Sequence, residues 1–224
     1  MHPVDYLRHD AAYRQRRAAG QPGWETAAAL RENLDLLAQV FAAPHFPKNG
    51  SLLELGCGAG DLSLWAAQRR FEVHGVDISP FAIQWAQEKA NAQKIPAHFQ
   101  TASVLDLPFA SDSFDVVLDG RCFHCIIGPD RAKFLAEAYR VLKPGGILHV
   151  ASMCGTPSCE KYLKQFDPAS RCLLRDGFAV RFLGQPETIA AELASAGYKL
   201  IHQRLLPRRT DRELDLLLLD AAKS

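Results

Sequence analysis

From Ser51 onward, short apolar runs alternate with helical stretches, and few folds accept that pattern. The runs are SLLEL, FEVHGV, AHFQTA, FDVVLD and GILHVAS, and between them lie DLSLWAAQRR, SPFAIQWAQEKANAQ and PDRAKFLAEAYRVL. Near-continuous apolar strands joined by helices pack as a parallel sheet with a helical layer on each face. SVLDLPFASDS, between the third and fourth runs, is too short and turn-rich for a long helix. In LKPGG, Pro144 cannot continue a helix, and the two glycines turn the chain into the next strand. The tail differs: PETIAAELASAGYKLIHQRLL reads as helix then strand, and RELDLLLLDAAK as a further strand. A tight turn at PRRTD would join these last two as an antiparallel hairpin. The expectation is an α/β, doubly wound, mostly parallel sheet.

Residues 1–50 are polar and rich in Ala and Arg, with a break at GQPGW. TAAALRENLDLLAQVFAA then sets Leu30, Leu34, Leu37 and Phe41 at helical spacing before APHFPKNG stops the helix. With no repeat and no low-complexity linker, the chain reads as one domain, 51–224. It carries an N-terminal helical cap, 1–50, and an insertion at about 153–184. A net charge of +1 implies no general attraction to nucleic acid or to an anionic membrane. No apolar run has the length of a signal core or a membrane span. A cytoplasmic protein with its six cysteines as reduced thiols is expected, while oligomeric state is left open.

The turn after the first strand, SLLELGCGAG, places glycines at 56, 58 and 60. A dehydrogenase fingerprint wants its third glycine at 61, where Asp61 stands, and the Gly-Lys-Ser/Thr of a phosphate loop is absent. Asp61 also sets a negative charge where a helix N-terminus would receive pyrophosphate. With Glu54 at the strand end, the turn suits a phosphate-free ligand with a positive group. Asp77 ends the second strand, where a carboxylate accepts hydrogen bonds from ribose hydroxyls. The next loop can hold an adenine edge through the backbone of Val104 and the side chain of Ser103 or of Asp106.

These stretches resemble the class I S-adenosylmethionine-dependent methyltransferases over roughly residues 50–152. LLELGCGAG is similar to the family's first motif and VHGVDIS to its acidic second-strand motif. ASVLDLPFASDSFDVVLDG is similar to the adenine loop and fourth strand, and EAYRVLKPGGILHV to the segment entering the fifth. The resemblance implies a seven-stranded Rossmann-like methyltransferase sheet with its last strand antiparallel, and S-adenosyl-L-methionine as cofactor. It implies donor contacts from Glu54, Gly56, Cys57, Gly58 and Gly60, with Asp77 on the ribose and Ile78 on the adenine. Ser103, Val104 and Asp106 would lie at the adenine edge, and Asp119 and Gly120 near the methionine amino group. Many members carry aspartate where this chain has Ser103.

The acceptor must approach near DGRCFHCIIG, after the fourth strand. There His124 is a candidate general base for a hydroxyl, thiol or amine, or else a packed loop histidine. Cys122 and Cys125 bracket it, as a pocket for a soft acceptor, a redox or metal pair with help from Cys154, Cys159 and Cys172, or plain core thiols. No metal site is assigned. Trp24, with Tyr6 or Tyr13, either closes over the site or staples the leader to the core. Arg171, Arg175 and Arg181 either meet an anionic substrate or form a solvated face.

The expected function is methyl transfer to a small-molecule acceptor by direct in-line displacement. A protein or RNA methyltransferase on the same fold is one alternative. DGRC stands where amino-base enzymes carry Asn/Asp-Pro-Pro-Tyr/Phe, and no basic tail is present, so no nucleic-acid partner is expected. A non-catalytic cofactor-binding module is the other, disfavoured because Gly56, Gly58, Gly60 and Asp77 are all intact.

Overall fold

The computed structural model describes residues 2–207 and 214–224. Helices α1 (Arg8–Ala18) and α2 (Ala27–Ala42) precede the first strand. The alternating region follows as β1 (Gly50–Leu55), α3 (Asp61–Ala67), β2 (Phe71–Asp77), α4 (Pro80–Gln93), β3 (His98–Thr101) and β4 (Phe114–Asp119). After it come α5 (Asp130–Val141) and β5 (Leu142–Cys154), then the short α6 (Glu160–Leu163), β6 (Phe166–Asp167), β7 (Cys172–Arg175) and β8 (Phe178–Phe182). The chain ends with α7 (Pro186–Ser195), β9 (Tyr198–Leu206) and β10 (Asp215–Lys223).

Side-chain alternation along single strands builds the layers. Leu52 of β1 packs with Leu37, Phe41 and Ala66 beneath α2 and α3. Its neighbour Leu53 faces the other way, into Phe134, Leu135 and Ile189 of α5 and α7. Val116 and Val117 of β4 divide between the same two clusters. The sheet is therefore buried on both faces, as near-continuous apolar strands require.

Seven strands run in the order β3-β2-β1-β4-β5-β10-β9. β10 is antiparallel to both β5 and β9, and the pairs from β3 to β5 are parallel. The expected doubly wound sheet with an inserted antiparallel last strand is what forms. Strand order reverses between β1 and β4, and a crevice opens there at the carboxyl ends of the strands. The turn expected at PRRTD falls largely on residues 208–213, outside the described residues. LKPGG is not a separate turn, since α5 stops at Val141 and the run already belongs to β5 as an irregular start.

The segment 153–184 carries a second, three-stranded antiparallel sheet, β6-β7-β8, where the sequence suggested mainly loops. Strands of two to five residues give too few alternations to show a period. The leader is bonded to this sheet. Ala179 N–H donates to Pro3 C=O (3.0 Å), His2 meets Asp167 (2.8 Å) and Arg8 pairs with Asp176 (2.9 Å).

Candidate active site

The turn from β1 to α3 is shaped by positive φ angles at Gly56 (69°) and Gly58 (53°), conformations that a Cβ penalises. Space adds a second demand. A Cβ on Gly56 would lie 2.6 Å from Cys122 Cβ, and one on Gly58 2.3 Å from the Tyr13 hydroxyl. Asp77, at the tip of β2, is fixed by two backbone donors: Gly58 N–H to Oδ2 (2.9 Å) and Ser79 N–H to Oδ1 (2.8 Å). Each carboxylate oxygen keeps accepting capacity for a ligand.

Three carboxyls crowd this end. Glu54 is buried and accepts from the Ser63 hydroxyl, yet burial pushes it up to about 8. Burial also raises Asp77 and Asp61 above the ordinary carboxylate range, although Lys89 reaches Asp61 at 2.6 Å. Carboxyls raised in this way gain from a nearby cation, which favours their ionised forms.

A cleft of about 360 Å³ opens over the turn. Glu54, Gly56, Cys57 and Gly58 line it from the first turn, and Asp77 and Ile78 from the tip of β2. Ser103 and Val104 enter from the loop after β3, Gly120, Cys122 and His124 from the segment after β4, and Trp24 from the leader. Three of the residues expected to contact the donor do not line it. Gly60 caps α3, where its Cβ would meet Phe99 and Ala86. Asp106 is exposed and closes a turn onto Ser103 C=O. Asp119 is buried, and its Oδ1 accepts from Cys122 N–H (2.7 Å) and Phe123 N–H (2.9 Å). It thereby caps the single 3-10 turn Phe123–Cys125, while its Oδ2 has no hydrogen-bond partner. Burial pushes Asp119 up to about 6.

That turn forms another wall of the cleft. His124 is 3% exposed, and its Nδ1 accepts a long hydrogen bond from Met153 N–H (3.4 Å). Burial holds the imidazole well below its ordinary pKa, and Arg181, Arg121 and Arg131 add to the effect. The cleft-lining thiols are protonated: burial raises Cys122 well above the usual range and Cys125 to about 11. Cys154, Cys159 and Cys172 lie outside the cleft. Among the described residues, no three His, Cys, Asp or Glu side chains converge as a metal-binding group.

The three insertion arginines have separate fates. Arg171 is spent on Leu183 C=O (2.7 Å) and Gly155 C=O (2.8 Å), Arg175 is exposed, and Arg181 lines the cleft. Trp24 lines the cleft and packs edge-on against Tyr13, also of the leader, at 5.0 Å. Tyr6 and Tyr13 line it too.

Sequence reasoning missed two supports. Asp10 of α1 accepts from Ser79 Oγ (2.7 Å) and Phe81 N–H (3.1 Å), docking the leader on the start of α4. Arg131 donates to Phe123 C=O (2.9 Å) and Ile126 C=O (3.2 Å) and grips Glu192 with two nitrogens. A signal for Arg131 existed: with Phe134, Leu135 and Ala138 it stands on the apolar stripe of its helix.

The family model of a methyltransferase domain matches residues 53–150. The chain is 32% identical to demethylmenaquinone methyltransferase of Thermus thermophilus, across 69% of this chain and 76% of that protein. Among solved structures, a SAM-dependent methyltransferase from Methanosarcina mazei is similar at TM-score 0.70 and 23% identity, covering 80% of this chain and 94% of the other. The 1,6-didemethyltoxoflavin-N1-methyltransferase of Burkholderia thailandensis, solved with 1,6-didemethyltoxoflavin and S-adenosylhomocysteine, gives 0.69 at 22% identity, over 99% and 92%. At such identities the likeness to the solved structures is one of fold.

Proposed function

The chain belongs to the class I S-adenosylmethionine-dependent methyltransferases, and on that premise we propose that it methylates a small-molecule acceptor held in the cleft. When bound, S-adenosylmethionine supplies an electrophilic methyl group on a sulfonium, which an acceptor lone pair takes by in-line displacement. Asp77 carries the reading: two backbone donors fix it, and each oxygen keeps a lone pair that would accept a ribose hydroxyl. Ile78 gives the adenine an apolar contact, and Ser103 and Val104 give its edge polar ones. Glu54 would lose its proton on meeting the methionine ammonium, for which Gly120 leaves room, since a Cβ there would meet Glu54 Oε1 at 2.5 Å. Asp119 works indirectly, by holding the turn that carries Cys122 and His124.

Cleft size supports a small acceptor, because about 360 Å³ must hold donor and acceptor together. The similar proteins from Thermus thermophilus and Burkholderia thailandensis carry the names of small-molecule substrates. In this reading residues 1–50 are a cap and 153–184 an acceptor-side insertion on a methyltransferase domain, 51–224. The protein works in the cytoplasm, with its cysteines reduced. No helix among the described residues is long and apolar enough to cross a membrane. We assign His124 to orienting the acceptor rather than taking its proton. With Nδ1 occupied by Met153 N–H, the neutral ring carries its proton on Nε2 and offers a donor. The rest of the contribution is positioning and exclusion of water.

Titration calorimetry tests this. S-adenosylmethionine should bind at micromolar concentration and NAD should not. Asp77→Ala should weaken the binding by about 1–3 kcal/mol, the cost of losing buried hydrogen bonds to a ligand. Parental affinity in that variant would refute the ribose assignment.

A further inference from the structure

We propose that the methyl acceptor is a small carboxylate whose charged group docks on Arg181 of β8, an inference that rests on the methyltransferase reading above. Arg181 lines the cleft, and its Nε is buried without a hydrogen-bond partner among the described residues. Neither Nη makes a hydrogen bond or ion pair with any described residue. Of the other cleft arginines, Arg16 donates to Gln21 (3.1 Å) and stacks over Trp24 at 4.2 Å, although its Nε also has no partner among the described residues. Arg131 is held by Glu192 and two carbonyls, and Arg121 by Asn33 (2.5 Å) and Glu25 (3.8 Å). The carboxyls lining the cleft are Glu25, committed to Arg121, and Glu54, Asp61 and Asp77, which belong to the donor end. A partly buried guanidinium without a counter-charge is costly unless a ligand brings one.

The chemistry of that ligand follows from counting charge and donors. At the β8 side of the cleft, the Arg181 guanidinium beside a neutral imidazole supplies one positive charge, which a monoanion matches and a phosphate dianion exceeds. A guanidinium fork fits a planar carboxylate with two parallel hydrogen bonds. His124 stands close enough that Arg181 is the largest charge acting on its ring, and its Nε2–H has no partner among the described residues. Together the two side chains would offer such a group three donors. The position of Arg181 is set by the β7–β8 hairpin, where it pairs with Leu173 immediately before a register shift. Phe182, next along, lies under the Arg131 guanidinium at 4.4 Å, which ties the hairpin to the His124 turn.

The test uses protein saturated with S-adenosylhomocysteine and a panel of aromatic and aliphatic carboxylates, each matched with its primary amide. Calorimetry should show at least one acid binding ten-fold or more tightly than its amide, with an affinity that falls as salt is raised. Arg181→Gln should erase the preference and Arg181→Lys restore part of it, while both bind S-adenosylhomocysteine within two-fold of the parent. Amides binding as well as acids, an unchanged preference in Arg181→Gln, or no acid bound at millimolar concentration would each overturn the proposal. Failure of the parent protein to bind S-adenosylhomocysteine would instead strike the methyltransferase reading.

Discussion

At the donor end, the decisive contacts join residues close in the chain: Asp77 takes its donors from Gly58 and Ser79, and Glu54 from Ser63. At the acceptor end they reach much further: Pro3 reaches Ala179, His2 reaches Asp167 and Arg8 reaches Asp176, across most of the chain, and Arg131 reaches Glu192, 61 residues on. A donor that is the same for every member of a family can be held by one turn and one strand tip. An acceptor particular to one protein is met by whatever surface the leader and insertion assemble. The two ends touch where a Cβ on Gly56 would strike Cys122. If the comparison is sound, damage at one end should leave the other measurable.

The largest effect should come from Arg131→Ala. The guanidinium is 4% exposed and carries a bidentate pair with Glu192, two carbonyl contacts and the Phe123 ring at 3.8 Å. Removing one partner of a buried pair costs about 3–5 kcal/mol, because the other is left uncompensated. Urea denaturation should show that loss. Where the variant still folds, S-adenosylhomocysteine should bind within a few-fold of the parent. A loss below about 1 kcal/mol would mean that the acceptor wall does not depend on this residue.

Gly56→Ala should act next, and on both ends. It forces a Cβ into left-handed backbone, at about 1–2 kcal/mol, and sets it against the Cys122 side chain. Donor affinity should fall by at least ten-fold. Adding Cys122→Gly should recover the steric part of the loss and leave the backbone part. If the double variant is no better than the single, the two ends are not coupled through this contact.

How much was legible beforehand follows the same division. The alternation of strands and helices, the glycine turn and the place of Asp77 at a strand tip were readable because each depends on local periodicity or on a spacing of a few residues. Gly60 and Asp106 show the limit of such reading, since a motif position does not tell whether a residue faces the ligand or the packing behind it. His124 was readable as a residue but not as a tautomer, which depends on Met153, 29 residues away. Arg181 could not be told from Arg171 and Arg175 until the β7–β8 register turned one of the three into the cleft.

A smaller effect distinguishes the ends by pH. Glu54 ionises near 4.5 when unfolded but only at about 8 in the ligand-free fold. Between those values the folded protein holds a proton that the unfolded chain has lost, so this group lowers stability as pH rises through the window. The slope is about 1.4 kcal/mol per pH unit per proton. Asp119, at about 6, adds the same sign over the lower part of the window. An ammonium facing Glu54 favours its ionised form, so affinity for S-adenosylhomocysteine should rise up to ten-fold per unit from pH 6 to 8. Calorimetry at pH 7 in buffers of different ionisation enthalpy should detect release of nearly one proton. A flat profile would mean that Glu54 does not meet the ammonium.

The smallest effect probes the long-range seam directly. Arg8 pairs with Asp176, donates to Arg175 C=O (3.3 Å) and lies over the Phe178 ring at 4.8 Å, but its partner Asp176 is 71% exposed. Water screens such a pair, so Arg8→Ala should cost no more than about 1 kcal/mol in global stability. Its consequence should be local. Loosening the leader from β8 frees the hairpin that presents Arg181, so acceptor binding should weaken several-fold while the donor constant stays put. Hydrogen exchange at Ala179 N–H, which is bonded to Pro3 C=O, gives a readout independent of any acceptor and should quicken in the variant. Were donor affinity to fall along with acceptor affinity, the leader would be bracing both ends alike, and the contrast between a locally built donor site and a remotely built acceptor site would fail.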